Sequence, residues 1–197
     1  MLYTCQTARV PDSRERILDT AFRLVREQGA NAVTMAGIAD AAGLSRQMVY
    51  VHFRSRAGLL TAMARDHDRR SGFAARVAAA RELPPAEAFE RLLREWLAYV
   101  PEILPVARAL EAAAITGEAG GEAWRNRMDD LHEQLGAALA RVELAPGWTV
   151  ETATDWAWAR VQPAGFDHLV TGRGWSAEEY AERVTRSVMA EIVRPAA

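Results

Sequence analysis

Apolar residues recur at helical spacing in successive stretches of this chain, and the breaks between stretches carry the residues that start and stop helices. Ile17, Leu18, Ala21, Phe22, Leu24 and Val25 make one stripe, which predicts a helix from about Asp12 to Gln28, ended by Gly29. Thr34 suits the N-cap of a short helix over about Met35 to Ala42. Gly43 can then take the left-handed conformation that ends it, having no Cβ to clash, and Ser45 caps a second helix through Val49, Tyr50 and His52. Ser55 caps a helix carrying Leu59, Leu60 and Met63, expected to run on to about Arg81. Pro84-Pro85 opens the next, where Phe89, Leu92, Leu93, Trp96, Leu97 and Val100 form an amphipathic face. Pro101 and Pro105 are expected to break it into a further helix reaching about Thr116, before a loop at Gly117, Gly120 and Gly121.

Trp124, Met128, Leu131, Leu135, Ala138 and Val142 step alternately by four and three residues, which predicts one long helix ended by Pro146-Gly147. Thr149 caps a helix with Val150, Ala153, Trp156, Ala157, Trp158 and Val161. Its two tryptophans lie about 200° apart around the axis, so one face can meet the core and the other a partner chain. Pro163 kinks or interrupts it. Ser176 with Glu179 reads as a capping box for a last helix whose stripe is Tyr180, Val184, Val188 and Ile192. Helix formers outnumber β-branched residues, so the predicted fold class is all-α.

Within this series Thr34 to Phe53 has the form of a helix-turn-helix. Ala39 supplies a small residue where two helices cross, Gly43 the turn, and Val49 an inward anchor. Such a unit sets the first residues of its second helix on base edges in the major groove, here Arg46, Gln47 and Met48. The alternative is an ordinary helical hairpin inside an all-α core. The flanking segments RERILDTAFRLVREQGANAVTM and FRSRAGLLTAM extend the pattern. Over about Asp12 to Arg69 the chain resembles the N-terminal domain of the TetR/AcrR family of transcriptional regulators. The resemblance is carried by Ile17, Leu18, Ala21, Phe22, Gly29, Thr34, Ile38-Ala39, Ala42-Gly43-Leu44-Ser45, Tyr50, His52-Phe53 and Leu59-Leu60. Arg56 stands where the family usually has lysine, and Ala57 where it often has an acid.

That resemblance implies a three-helix DNA-binding head over residues 11–71 after a disordered tail at 1–10. It also implies a helical effector-binding and dimerisation domain over 72–197. It further implies a homodimer, paired through the C-terminal helices, on a double-stranded DNA operator. Thr34, Tyr50, His52 and Arg56 are the expected phosphate-side residues, and Ser45 is a further expected DNA-binding residue. Arg46 suits guanine, Gln47 adenine, and Met48 a thymine methyl.

Net charge is −2, which by itself argues against a nucleic-acid partner; lysine is absent altogether, which carries no mechanistic weight. Splitting the chain changes the picture. Residues 1–65 carry nine arginines against five acids, and the remainder fifteen against twenty-one. A cationic end on an anionic body suits docking onto phosphates. Cys5 is the only cysteine, which excludes an intrachain disulfide or a cysteine zinc cluster. The start lacks the form of a signal peptide and no apolar stretch reaches membrane-spanning length, so the expected location is the cytoplasm.

Catalytic motifs are absent. The histidines His52, His67, His132 and His168 form no metal-site spacing with glutamate, and there is no nucleophile elbow or phosphate-binding glycine loop. The expectation is a non-enzyme without cofactor or metal; His67 with its flanking acids reads as a solvated face. Trp96, Tyr99, Trp124, Met128, His132 and Trp156, with Arg108 and Glu111, are candidates to line an effector pocket, and plain core is the alternative for each tryptophan. The reading is a repressor released by a small molecule that the sequence does not name. Its rivals are an all-α enzyme or ligand carrier with an unused head, and a nucleoid-type DNA binder without effector.

Overall fold

The computed structural model describes residues 12–29, 33–116 and 121–195; the predicted tail at 1–10 and the glycines Gly117 and Gly120 lie outside them. The chain divides into two units, residues 1–63 and 64–197, with the division inside one helix. Among the described residues the only extended pairing is a single bridge, Leu144 to Val193, and no helix is long and apolar enough to cross a membrane.

In the first unit α1 spans Ser13–Gln28, α2 Met35–Ala42 and α3 Arg46–Phe53. Each starts where a side-chain oxygen satisfies a free backbone N–H. Asp12 accepts from the Glu15 amide (2.8 Å), Thr34 from Gly37 (3.0 Å) and Ser45 from Met48 (3.2 Å). Gly43 closes α2 at φ 63°, ψ 38°, with no atom where a Cβ would lie. Backbone conformation alone therefore calls for glycine there. The stripes converge on a core of Ile17, Leu18, Ala21, Ile38, Ala39 and Val49.

α4 runs Arg56–Arg70 and not to Arg81. Gly72 sits at φ 71°, outside helical space, and Ser71 Oγ accepts the amide of Phe73 as a new helix begins, α5 at Phe73–Ala80. α6 is one helix, Pro85–Thr116, through both Pro101 and Pro105. Each internal proline removes a hydrogen bond and costs about 3 kcal/mol. Burial of Val100, Ile103, Leu104, Val106, Ala107 and Leu110 around them offsets that cost, and packing overrides the expected break.

α7 spans Gly121–Leu139, so Gly121 opens a helix and does not belong to a loop. Trp124, Met128, Leu131, Leu135 and Leu139 form its buried seam. It stops well short of Pro146-Gly147. There the chain turns out to pair with the C-terminus, the Ala145 amide donating to Ile192 O (2.8 Å) and Arg194 to Glu143 O (2.9 Å).

α8 covers Val150–Arg160 behind a reciprocal box of Thr149 and Thr152. α9, Pro163–Phe166, leads into a π-turn at Asp167–Thr171, and α10 spans Ala177–Ile192. Ser176 caps α10, but Glu179 turns to Arg183 (3.0 Å), so the predicted box is half formed.

Candidate nucleic-acid interface

Successive residues of α3 are about 100° apart, and Val49 and Phe53 are buried on one side. Geometry then sends Gln47, Met48 and Val51 away from that side, while Arg46 at the first turn, Tyr50 on the flank and Arg54 at the cap are exposed as well. Tyr50 is 51% and Val51 68% exposed, high for large apolar side chains. Among the described residues the side chains of Arg46 and Gln47 have no hydrogen-bond partner. Met48 is 40% exposed on this face.

The expected phosphate-side residues, and Ser45, are partly engaged within the chain. The Thr34 and Ser45 hydroxyls cap α2 and α3. His52 Nε2 meets Ser13 Oγ at 2.9 Å, tying α3 to the start of α1, and Arg56 Nε donates to Val33 O at 3.2 Å. Both side chains remain half-exposed.

Two residues of this face were not singled out from sequence. Val51 lies one turn after Gln47, so the helical period alone points to it. Arg54, at φ 53°, is the only non-glycine with positive φ among the described residues. Arginine rarely takes that conformation, and nothing in the local pattern announces it.

The effector candidates separate into several places. Trp96 and Tyr99 come together at 6.3 Å between ring centres, both buried; Trp96 Nε1 donates to Val161 O (2.8 Å) and Tyr99 OH to Asp68. Trp124 and Met128 are buried on the α7 seam, and the Met128 carbonyl receives Trp158 Nε1 (2.9 Å). His132 pairs with Asp155 (2.8 Å) and lies edge-on to Trp158. Arg108 forks onto Asp167, which holds that carboxyl below the usual carboxylate range, and Glu111 is half-buried. Trp156, 36% exposed, donates to Glu191 under Arg160. A separate open cleft of about 1170 Å³ between the start of α6, the end of α7 and α10 has Pro85, Arg94, Arg141, Glu182 and Met189 in its walls, and none of the eight candidates.

His67, on the last turns of α4, is stacked on Tyr99 and bonded to Glu102 at 3.1 Å. Burial holds it below its ordinary value and outweighs Glu102; Arg70 and Arg127 push the same way as burial. The folded chain thus refuses a proton that the unfolded chain takes up. This contribution to stability is full above the ordinary value of 6.5 and is lost as pH falls through it. His67→Gln should flatten the decline in urea midpoint between about pH 7.5 and about pH 5.5.

Residues 17–63 match the family described as bacterial regulatory proteins, tetR family. The HTH-type transcriptional regulator AcrR of Shigella flexneri is 38% identical over 50 residues, 25% of this chain and 23% of that protein. The chain thus spans about a quarter of that relative's length. Over nearly the whole chain the fold is that of solved regulators. A transcriptional regulator from Saccharomonospora viridis in complex with choline has TM-score 0.78 at 19% identity, covering 93% of this chain and 98% of that one. NalD, the secondary repressor of the MexAB-OprM multidrug efflux pump in Pseudomonas aeruginosa, has TM-score 0.66 at 20% identity, covering 93% and 98%.

Proposed function

Since residues 17–63 belong to the tetR family of bacterial regulatory proteins, we propose that the chain is a DNA-binding transcriptional repressor. It acts as a homodimer whose operator affinity is set by a small molecule held in residues 64–197. The observation that carries this reading is the outward face of α3. Arg46 and Gln47 are exposed there with no side-chain partner among the described residues, near Tyr50, Val51 and Arg54, on a helix anchored by fully buried Val49.

Arg46 and Gln47 read base edges, with Met48 and Val51 offering apolar contact to thymine methyls. Thr34, Ser45, Tyr50, His52, Arg54 and Arg56 position the head on phosphates, which fixes register without reading sequence. Exposed Trp156 and Val150 on α8, with the polar outer face of α10, supply the surface for a second copy, consistent with two recognition helices about one helical turn apart on a near-palindrome. The choline in the Saccharomonospora viridis regulator supports control by a small ligand.

Fluorescence-anisotropy titration against the DNA upstream of the protein's own gene, with random duplex as competitor, tests the reading. Tight, competition-resistant binding with a steep salt slope is the expected result. Equal affinity for random duplex, repeated on genome-wide fragments, would overturn it. Arg56→Ala should weaken operator and random DNA alike and lower the salt slope by about 0.9 for one phosphate contact. A selective loss on the operator would instead place Arg56 among the base readers.

A further inference from the structure

We propose that the second unit contains a binding site for a small organic cation, an alkylammonium or alkylguanidinium, which the chain's own Arg127 occupies in the absence of ligand. This deepens the effector reading above and rests on it for its regulatory meaning, though the site is defined by geometry alone. Arg127 on α7 places its guanidinium carbon 5.9 Å from the Trp96 ring centre and 5.7 Å from that of Tyr99. Phe73 stacks on Tyr99 at 4.9 Å and meets Trp96 edge-on at 6.0 Å, which fixes both rings. At the edge of the Tyr99 ring, the Asp68 carboxylate accepts from Arg127 and from the Tyr99 hydroxyl. Aromatic faces and one carboxylate around a single positive charge make a cage for a weakly hydrated cation.

The guanidinium is exchangeable, whereas the cage is fixed. Trp96 is held by its bond to Val161 O and Tyr99 by two stacking neighbours, Phe73 and His67. Arg127 ends a flexible stem, and its side chain is 19% exposed. Burial lowers its pKa to about 10, so its charge is held at a desolvation cost, and Asp130 lies one turn on as an alternative partner. A ligand cation brings its own charge to Asp68 and frees Arg127 to return to water. The exchange also removes the link between α7 and Asp68 on α4, the helix that continues without interruption from residue 56 to residue 70.

Isothermal titration calorimetry of the full chain with tetramethylammonium and with ethylguanidinium tests the site. Arg127→Gln empties the cage and should bind either cation at least about tenfold more tightly than wild type. Asp68→Asn should lose that binding by a similar factor, Arg127→Lys should keep the weak wild-type behaviour, and 3,3-dimethylbutan-1-ol, the uncharged counterpart, should not bind. No saturable binding to folded Arg127→Gln, or equal binding of the alcohol, would overturn the proposal. If Arg127→Gln does not fold, Arg127→Lys and wild type decide it: cation binding to wild type that Asp68→Asn leaves unchanged overturns it equally. Operator affinity is measured separately. Cation binding without any change in operator affinity would leave the site standing and remove the effector reading. Operator binding with no cation binding would do the reverse.

Discussion

Arg46→Ala is expected to lower the preference for operator over random duplex by about ten- to a hundredfold, the worth of one bidentate arginine–guanine contact at about 1–3 kcal/mol. The fold gives it no other employment. It is exposed at the first turn of α3 and its side chain has no partner among the described residues. Removing it should leave thermal stability within about 0.5 kcal/mol, as for surface positions without special contacts. Competitive anisotropy with both duplexes separates the outcomes. A fall in affinity for both DNAs by one factor would make Arg46 a phosphate contact, and no change would remove α3 from the interface.

Gly121→Ala should be the most destabilising single methyl addition to the second unit. A Cβ at that position would sit 2.5 Å from Ala114 Cα, 2.7 Å from its N and 2.8 Å from Ala113 O. Those are backbone atoms of α6, and no rotamer change moves them aside. α6 and α7 must separate, at a cost of about 3 kcal/mol, the upper part of the usual overpacking range. For a chain of this size that lowers the melting midpoint by roughly 6–12 °C. Gly136→Ala, farther along the same helix, is the control. Its nearest neighbour would be the Thr154 side chain at 3.4 Å, so the helix-propensity gain of up to about 1 kcal/mol should dominate. Thermal unfolding by circular dichroism ranks the two; equal midpoints would mean that α6 and α7 tolerate a wider crossing.

What could be read from the chain was whatever a few adjacent residues decide. Asp12, Thr34, Ser45, Thr149 and Ser176 cap helices because a hydroxyl or carboxylate needs only an amide three residues on. Gly43 was legible because its turn has no need of tertiary support. The misses have distant causes. Pro101 and Pro105 stay helical because partners across the core bury their neighbours, and α7 ends at Leu139 because the chain beyond it pairs with residues 192–194. Gly72 carried a local signal, positive φ in glycine, that the apolar spacing on either side concealed. Gln47, Met48 and Val51 were legible through the helical period, Arg46 through its place at the first turn, and Arg54 through nothing local. The Asp68–Arg127 pair was not legible, since 59 residues separate its members and each alone looks like a surface charge.

The placement of the six tryptophans has an optical consequence. All of them, from Trp96 to Trp175, belong to the second unit, and the first contains none. Intrinsic emission excited at the indole band therefore comes from one half of the molecule, and the head can melt in the dark. Emission and ellipticity recorded on one sample would resolve the two halves without any label. If both signals move together, the continuous α4 makes the chain one cooperative body; if ellipticity drops first, the head is the weaker part.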